Sequence, residues 1–209
     1  MNRNDTIIAP ATPPGEGGLA VIRISGPKAR TALGRFFRAS GKKNELESHR
    51  LYHGRLKGID GKDIDEVMAV YMQPPRSYTC EEVVEIHCHG GQQVVRSVLD
   101  LYLTYGLRLA HPGEFTYRAF MNGRLDLIQA EAVSRLIHSR TDAARAIALS
   151  QVEGRLSQSI HKFTSKLRNI LVLVEAWIDF PEEDLPEQES QSVCSQVADI
   201  VEEVSVLLS

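Results

Sequence analysis

Glu85, His87 and His89 alternate with Ile86 and Cys88 in the segment Glu85-Ile86-His87-Cys88-His89-Gly90-Gly91. On an extended chain successive side chains point to opposite faces, so the carboxylate and the imidazoles are displayed together while Val84, Ile86 and Cys88 enter a core. Such a row is open to different chemistries. Imidazoles at alternate positions could ligate zinc, with the third protein ligand unidentified. Glu85 could instead accept parallel hydrogen bonds from a ring N–H and an adjacent amino group of a pterin-like heterocycle, a charge-assisted bidentate contact. A solvated strand face with no ligand is the plainest reading.

Other segments carry punctuation that a site could use. Ala11-Thr12-Pro13-Pro14-Gly15-Glu16-Gly17-Gly18 is either a rigid loop or a stretch whose uncovered amides let a planar ligand or a second subunit come close. Pro112-Gly113 opens a short helix and Asn122-Gly123 closes it, and Asp126 falls near the start of the next helix, where the dipole favours its charge. Within that run Arg118 and Arg124 are the cations to watch, beside the plainer reading of surface salt bridging. Asp179-Phe180-Pro181-Glu182-Glu183-Asp184 reads as a solvated acidic turn. No Gly-x-x-x-x-Gly-Lys-Ser/Thr sequence occurs, so a Walker-type nucleotide site is not expected.

These residues need elements to position them. Leu19 to Ile24 reads as a strand followed by a helix start at Ser25-Gly26-Pro27. Leu51 to Lys57 and Glu66 to Met72 read as strands around the turn at Gly58 to Gly61, and Glu82 to His89 as another. Gln92 to Tyr105 has helical spacing, and Leu107 to Ala110 a short strand. That pattern defines an α+β domain over residues 1–120. Over 121–209 the apolar period is helical, and a bundle segment is expected. Leu149, Val152, Leu156, Ile160, Phe163, Leu167, Ile170, Val174 and Trp177 form one continuous seam ended by Phe180-Pro181. A second seam, Val193, Val197, Ile200, Val204 and Leu207, follows the acidic turn and runs to the last residues with its apolar face wanting partners.

Composition is that of a globular protein, 43% hydrophobic and 24% charged over 209 residues. Residues 1–120 carry 16 Lys/Arg against 13 Asp/Glu, and residues 121–209 carry 8 against 14. Neither half announces a nucleic-acid binder, and the densest cationic pair in sequence is Lys42-Lys43. No apolar targeting segment follows the N-terminal residues and no run is long enough for a membrane span, so a cytoplasmic location with no membrane partner is expected. Cys80, Cys88 and Cys194 form no CxxC pair, which suits a reducing compartment, and Cys88 and Cys194 read as small core residues.

Taken in order, the Asp5-Thr6-Ile7 start, the Ala11 to Gly18 loop, Arg23-Ile24-Ser25-Gly26, Ser77-Tyr78-Thr79, Glu85 to Gly91, the Pro112 to Glu131 run and Asp179 to Glu183 resemble the tRNA-modifying GTPases of the MnmE (TrmE/ThdF) family. The resemblance implies an N-terminal α+β domain similar to the tetrahydrofolate-binding domain of the glycine-cleavage T-protein, followed by an all-α helical segment. It implies a homodimer that binds 5-formyl-tetrahydrofolate through Arg23, Glu85 and Arg124. It further implies action on tRNA at the wobble uridine with the flavoprotein MnmG (GidA), the folate being the one-carbon source. GTP, Mg2+ and K+ would belong to a GTPase domain expected after Ser209, so this stretch alone is not expected to hydrolyse GTP.

Two departures bear on that expectation. Cys80 stands where the family usually has glycine, and Arg124 where it usually has lysine, which keeps the charge but changes reach and hydrogen-bond geometry. Two other functions remain open at this point. A stand-alone folate-dependent one-carbon transferase would need an acid or base, for which only His87 or His89 can be nominated, and a structural dimerisation module would need no folate at all.

Overall fold

A computed structural model describes residues 5–41, 46–179 and 187–208, and the chain divides into two compact units, 1–130 and 131–209. The readings placed on Lys42-Lys43 and on Phe180 to Asp184 lie outside the described residues. Among those described, no helix is long and apolar enough to cross a membrane.

The first unit is built on a seven-stranded sheet in the order β3-β4-β5-β6-β2-β1-β7. The strands are β1 (Ile7–Pro10), β2 (Gly17–Ser25), β3 (Phe37–Ala39), β4 (Leu51–Lys57), β5 (Asp63–Met72), β6 (Val83–Gly90) and β7 (Arg108–Leu109). Neighbours pair antiparallel except β1 with β7, which run parallel. Ile22, Ile24, Val84, Ile86, Cys88, Ala69 and Leu56 alternate into a single core. Helices α1 (Ala29–Phe36) and α2 (Gln92–Thr104) close that core with Leu33, Val98, Leu101 and Tyr102. Burying such side chains contributes about 1.5–3 kcal/mol each. At the end of the β2–β6 ladder the backbones come so close that a Cβ on Gly90 would run into the Gly17 carbonyl. Only glycine fits there.

The alternation leaves the opposite sheet face outside the core. The register sets Leu51, Val70, Glu85 and Arg23 in one row across β4, β5, β6 and β2, and His53, Met68, His87 and Val21 in the next. All these side chains are half-buried or exposed. A polar site and several apolar residues therefore share a face that neither α1 nor α2 covers.

Helix α3 (Glu114–Met121) is bounded by Gly113 and Asn122, as the turn residues predict. Asp126 caps α4 (Leu127–Ile137): its carboxylate accepts from the Gln129 amide at 2.8 Å, and the Gln129 side chain accepts from the Asp126 amide at 2.9 Å. This reciprocal capping box is worth about 1 kcal/mol.

In the second unit, the expected continuous seam is broken. Leu149 and Val152 lie on α5 (Asp142–Val152), and the other seam residues on α6 (Arg155–Asp179). Gly154 between them has a left-handed φ of 84°, which ends one helix and starts the next without interrupting the apolar spacing. Helix α7 (Glu187–Leu208) packs on α6, with Ile170 and Ile200 buried and Glu203 held by Lys166 at 2.7 Å and Lys162 at 3.3 Å. Cys194 is exposed, not in a core: it sits one position off the seam residue Val193.

Candidate functional site

Arg23 and Glu85 are cross-strand partners, and their side chains meet above the open sheet face. Arg23 Nε donates to Glu85 Oε1 at 2.8 Å and Nη2 lies 2.7 Å from the same oxygen. The other oxygen, Oε2, lies 3.7 Å from His87 Nε2, beyond a hydrogen bond, and that buried ring nitrogen has no partner among the described residues. Glu85 is 20% and Arg23 26% exposed, so the pair is screened by protein on most sides yet can be reached. His89, expected beside them, turns away: Asp65 accepts from its amide at 2.8 Å and bonds its Nδ1 at 2.7 Å. Among the described residues no group of His, Cys, Asp and Glu side chains is arranged to hold a metal ion.

Tyr78 links the pair to the third expected residue. The Arg23 guanidinium lies 5.1 Å from the Tyr78 ring centre and the Arg124 guanidinium 4.9 Å from it. Cations over an aromatic face at these distances are held by about 0.5–2 kcal/mol each. Phe115 of α3 adds a ring 5.7 Å from Arg23. Arg124 also donates to the Tyr78 carbonyl at 2.9 Å, and the Tyr78 hydroxyl bonds Thr116 at 2.9 Å. Arg23, Glu85 and Arg124 are thus brought together, with Tyr78 and Phe115 as aromatic walls that charge and spacing alone did not single out. Tyr78 sits in the turn that leads into the strand bearing Glu85, and that adjacency is the signal that could have found it.

Arg118 plays a different part. It is 6% exposed and Glu114 1% exposed, so of the readings left open for it surface salt bridging falls away, and its ion pairs form a buried network. Arg118 Nη2 reaches Asp5 at 2.5 Å and Glu114 at 3.2 Å, while Nη1 reaches Glu81 at 3.1 Å. Arg108 clasps Glu114 through both Nη atoms, at 2.6 and 3.1 Å, and Asp5 through Nε at 2.7 Å. Glu81 in turn accepts from Ser25 at 2.7 Å, which bonds Thr79. The network pins the turn carrying Tyr78 to the first strand and to α3. Burial raises the Glu114 pKa, but the Arg108 bonds, the His111 amide and Arg118 outweigh it and hold the carboxyl down at about 2.

Cys80, in the same turn, keeps a left-handed backbone at φ 57°, so the conformation a glycine would supply is present without one. Burial pushes the Cys88 thiol up to about 11, which makes it an inert core side chain. The Thr12 to Gly17 loop and α2 enclose a cavity of about 850 Å³, lined in part by Pro13, Pro14, Val95 and Leu99. Arg23, Glu85 and Arg124 do not line it. A smaller depression of about 300 Å³, lined by Leu19, His53, Met68 and His87, adjoins them instead.

These features define an α+β domain with a polar, aromatic-walled site on an open sheet face, followed by a helical segment. The family model for the "GTP-binding protein TrmE N-terminus" matches residues 6–124, and that for the "MnmE helical domain" residues 127–209. The chain belongs to this family. It is 50% identical over its whole length to the tRNA modification GTPase MnmE of Syntrophotalea carbinolica, and equally to that of Geobacter sulfurreducens. It is 47% identical, over 94% of its length, to that of Listeria innocua. The match spans 46%, 46% and 43% of those relatives, so the chain covers less than half their length.

Proposed function

We propose that this chain is the folate-binding and self-associating portion of a tRNA-modifying protein acting at the wobble uridine, with 5-formyl-tetrahydrofolate as its ligand. The observation that supports it most is the state of Glu85. Arg23 fixes one carboxylate oxygen, while among the described residues the other has no donor and the nearby buried His87 Nε2 has no hydrogen-bond partner. An open acceptor beside an unsatisfied ring nitrogen suits a pterin, whose edge carries N–H donors and acceptors side by side. Arg23 then orients Glu85, and Arg124, exposed over Tyr78, is the cation for the carboxylated tail. The bound folate would supply the one-carbon unit. The chain's own groups hold and orient it, which is catalysis by positioning more than by acid and base.

The same sheet face supports the homodimer. Leu51, Met68 and Val70 flank Glu85 and His87 there, and a second copy laid on this face would bury them and shield the folate from water. GTP hydrolysis with Mg2+ and K+ is assigned to the part of the relatives' length outside the match, and pairing with MnmG and work on tRNA in the cytoplasm to the whole protein. Equilibrium dialysis against 5-formyl-tetrahydrofolate and sedimentation equilibrium test the reading together. Saturable binding by a dimer is expected, with Val70→Glu shifting the chain toward monomer. A folded monomer with no folate affinity would overturn it.

A further inference from the structure

The fold gathers cations that the sequence spreads out. From Gly17 to Asn44 the chain has seven Lys or Arg and no Asp or Glu. The end of α1 and the start of β3 bring Arg35 and Arg38 from this run to a cavity of about 440 Å³, whose wall also holds Lys57, Ile59 and Tyr105 and, among the described residues, no carboxylate. Asp63, which is not part of that wall, is shared between Lys57 at 2.7 Å and Arg55 at 2.8 Å, and Arg55 is the cross-strand partner of Arg38. Among the described residues no carboxylate pairs with Arg35 or Arg38. Arg38 does cap its helix, donating from Nη1 to the Gly34 carbonyl at 3.0 Å and the Phe37 carbonyl at 2.9 Å. That role leaves its other nitrogens, and all of Arg35, without a partner among the described residues. Nor does capping account for Tyr105, which stands edge-on to Phe36 at 5.3 Å with 37% of its surface open beside the cations.

Clustered guanidinium groups recognise phosphate, and an exposed aromatic ring beside them recognises an unstacked base. We propose that this cavity binds tRNA, with Arg35 and Arg38 on backbone phosphates and Tyr105 stacked on an unpaired base. At about 440 Å³ the cavity has room for one nucleotide of a loop or end. The choice of tRNA rests on the function proposed above, whereas the site is argued from its own residues.

Fluorescence anisotropy with labelled tRNA, run beside a folate titration of each protein, tests this. Arg35→Glu/Arg38→Glu is expected to weaken tRNA binding at least about tenfold and to flatten its salt dependence by nearly one unit of slope per arginine removed, with folate affinity unchanged. Arg35→Lys/Arg38→Lys, which keeps the charge, retains most of the binding, and Tyr105→Leu loses about tenfold or more. The proposal is overturned if the wild type does not bind tRNA at low salt, if the Glu variant binds as the wild type does, or if free uridine monophosphate saturates the cavity and displaces the RNA. Loss of folate binding in the wild type with the tRNA effects intact would sink the folate reading and leave this one standing.

Discussion

The Arg23 guanidinium donates to one oxygen of the Glu85 carboxylate at 2.8 Å across the β2–β6 ladder, and among the described residues the other oxygen has no donor. With 20% of the Glu85 side chain exposed, that oxygen is open to solvent or to a ligand. Here half of the carboxylate is held in place and half is offered.

Tyr78 is the shared wall for both arginines. Tyr78→Leu is expected to weaken 5-formyl-tetrahydrofolate binding about tenfold, since both guanidinium groups lose the ring that orients them. Tyr78→Phe loses only the hydroxyl contact to Thr116 and should stay within about threefold of wild type. Equal losses in the two variants, read by titration, would remove the ring from the account.

The Glu114 network makes stability depend on pH. The Glu114 carboxyl lies at about 2 in the fold against an ordinary 4.5. A depressed carboxylate contributes stability that is fully present above the unfolded value and is lost as pH falls toward the folded one. Between about 4.5 and 2, urea denaturation should therefore lose about 3 kcal/mol from this group. Glu114→Gln should cost about 3 kcal/mol at neutral pH, by leaving Arg108 and Arg118 short of a carboxylate, and should flatten the acid slope. A slope unchanged in the variant would place the acid sensitivity elsewhere.

Cys80 adopts a left-handed backbone that costs an L-residue about 1–2 kcal/mol. Part of that is returned as unfolded-state entropy on replacement by glycine. Cys80→Gly should raise stability by about 0.5–1 kcal/mol, and Cys80→Val should lower it, as read from denaturation midpoints. A destabilised glycine variant would mean that the Cys80 side chain contributes packing that outweighs its backbone strain.

Local pattern made some of this structure legible and hid the rest. Strand β4 was readable to the residue because Tyr52 and Leu56 alternate with exposed His53 and Arg55. Strands β1 and β3, four and three residues long, carry too short a pattern to register. The break at Gly154 was invisible because the apolar spacing runs through it. Glu85 could be placed on a polar face from alternation, but that Arg23 lies opposite it depends on the register of distant strands, which no local signal encodes. Arg23 came from resemblance for that reason, whereas Arg124 stood out as a cation in its own run and took only its folate role from the resemblance. Whether Arg118 would form a surface salt bridge or something more could not be told locally, because its partners Asp5, Glu81 and Glu114 converge from separate segments. Arg35 and Arg38 likewise become a cluster with Lys57 only when α1, β3 and β4 meet.

That Glu85 reads the folate ring is tested most directly by calorimetric titration of the wild type and Glu85→Gln with 5-formyl-tetrahydrofolate, at matched folded fractions. The account predicts saturable binding by the wild type, weakened about ten- to a hundredfold in the variant, the range expected for losing hydrogen bonds to a charged acceptor. Equal affinity in the two proteins would contradict it.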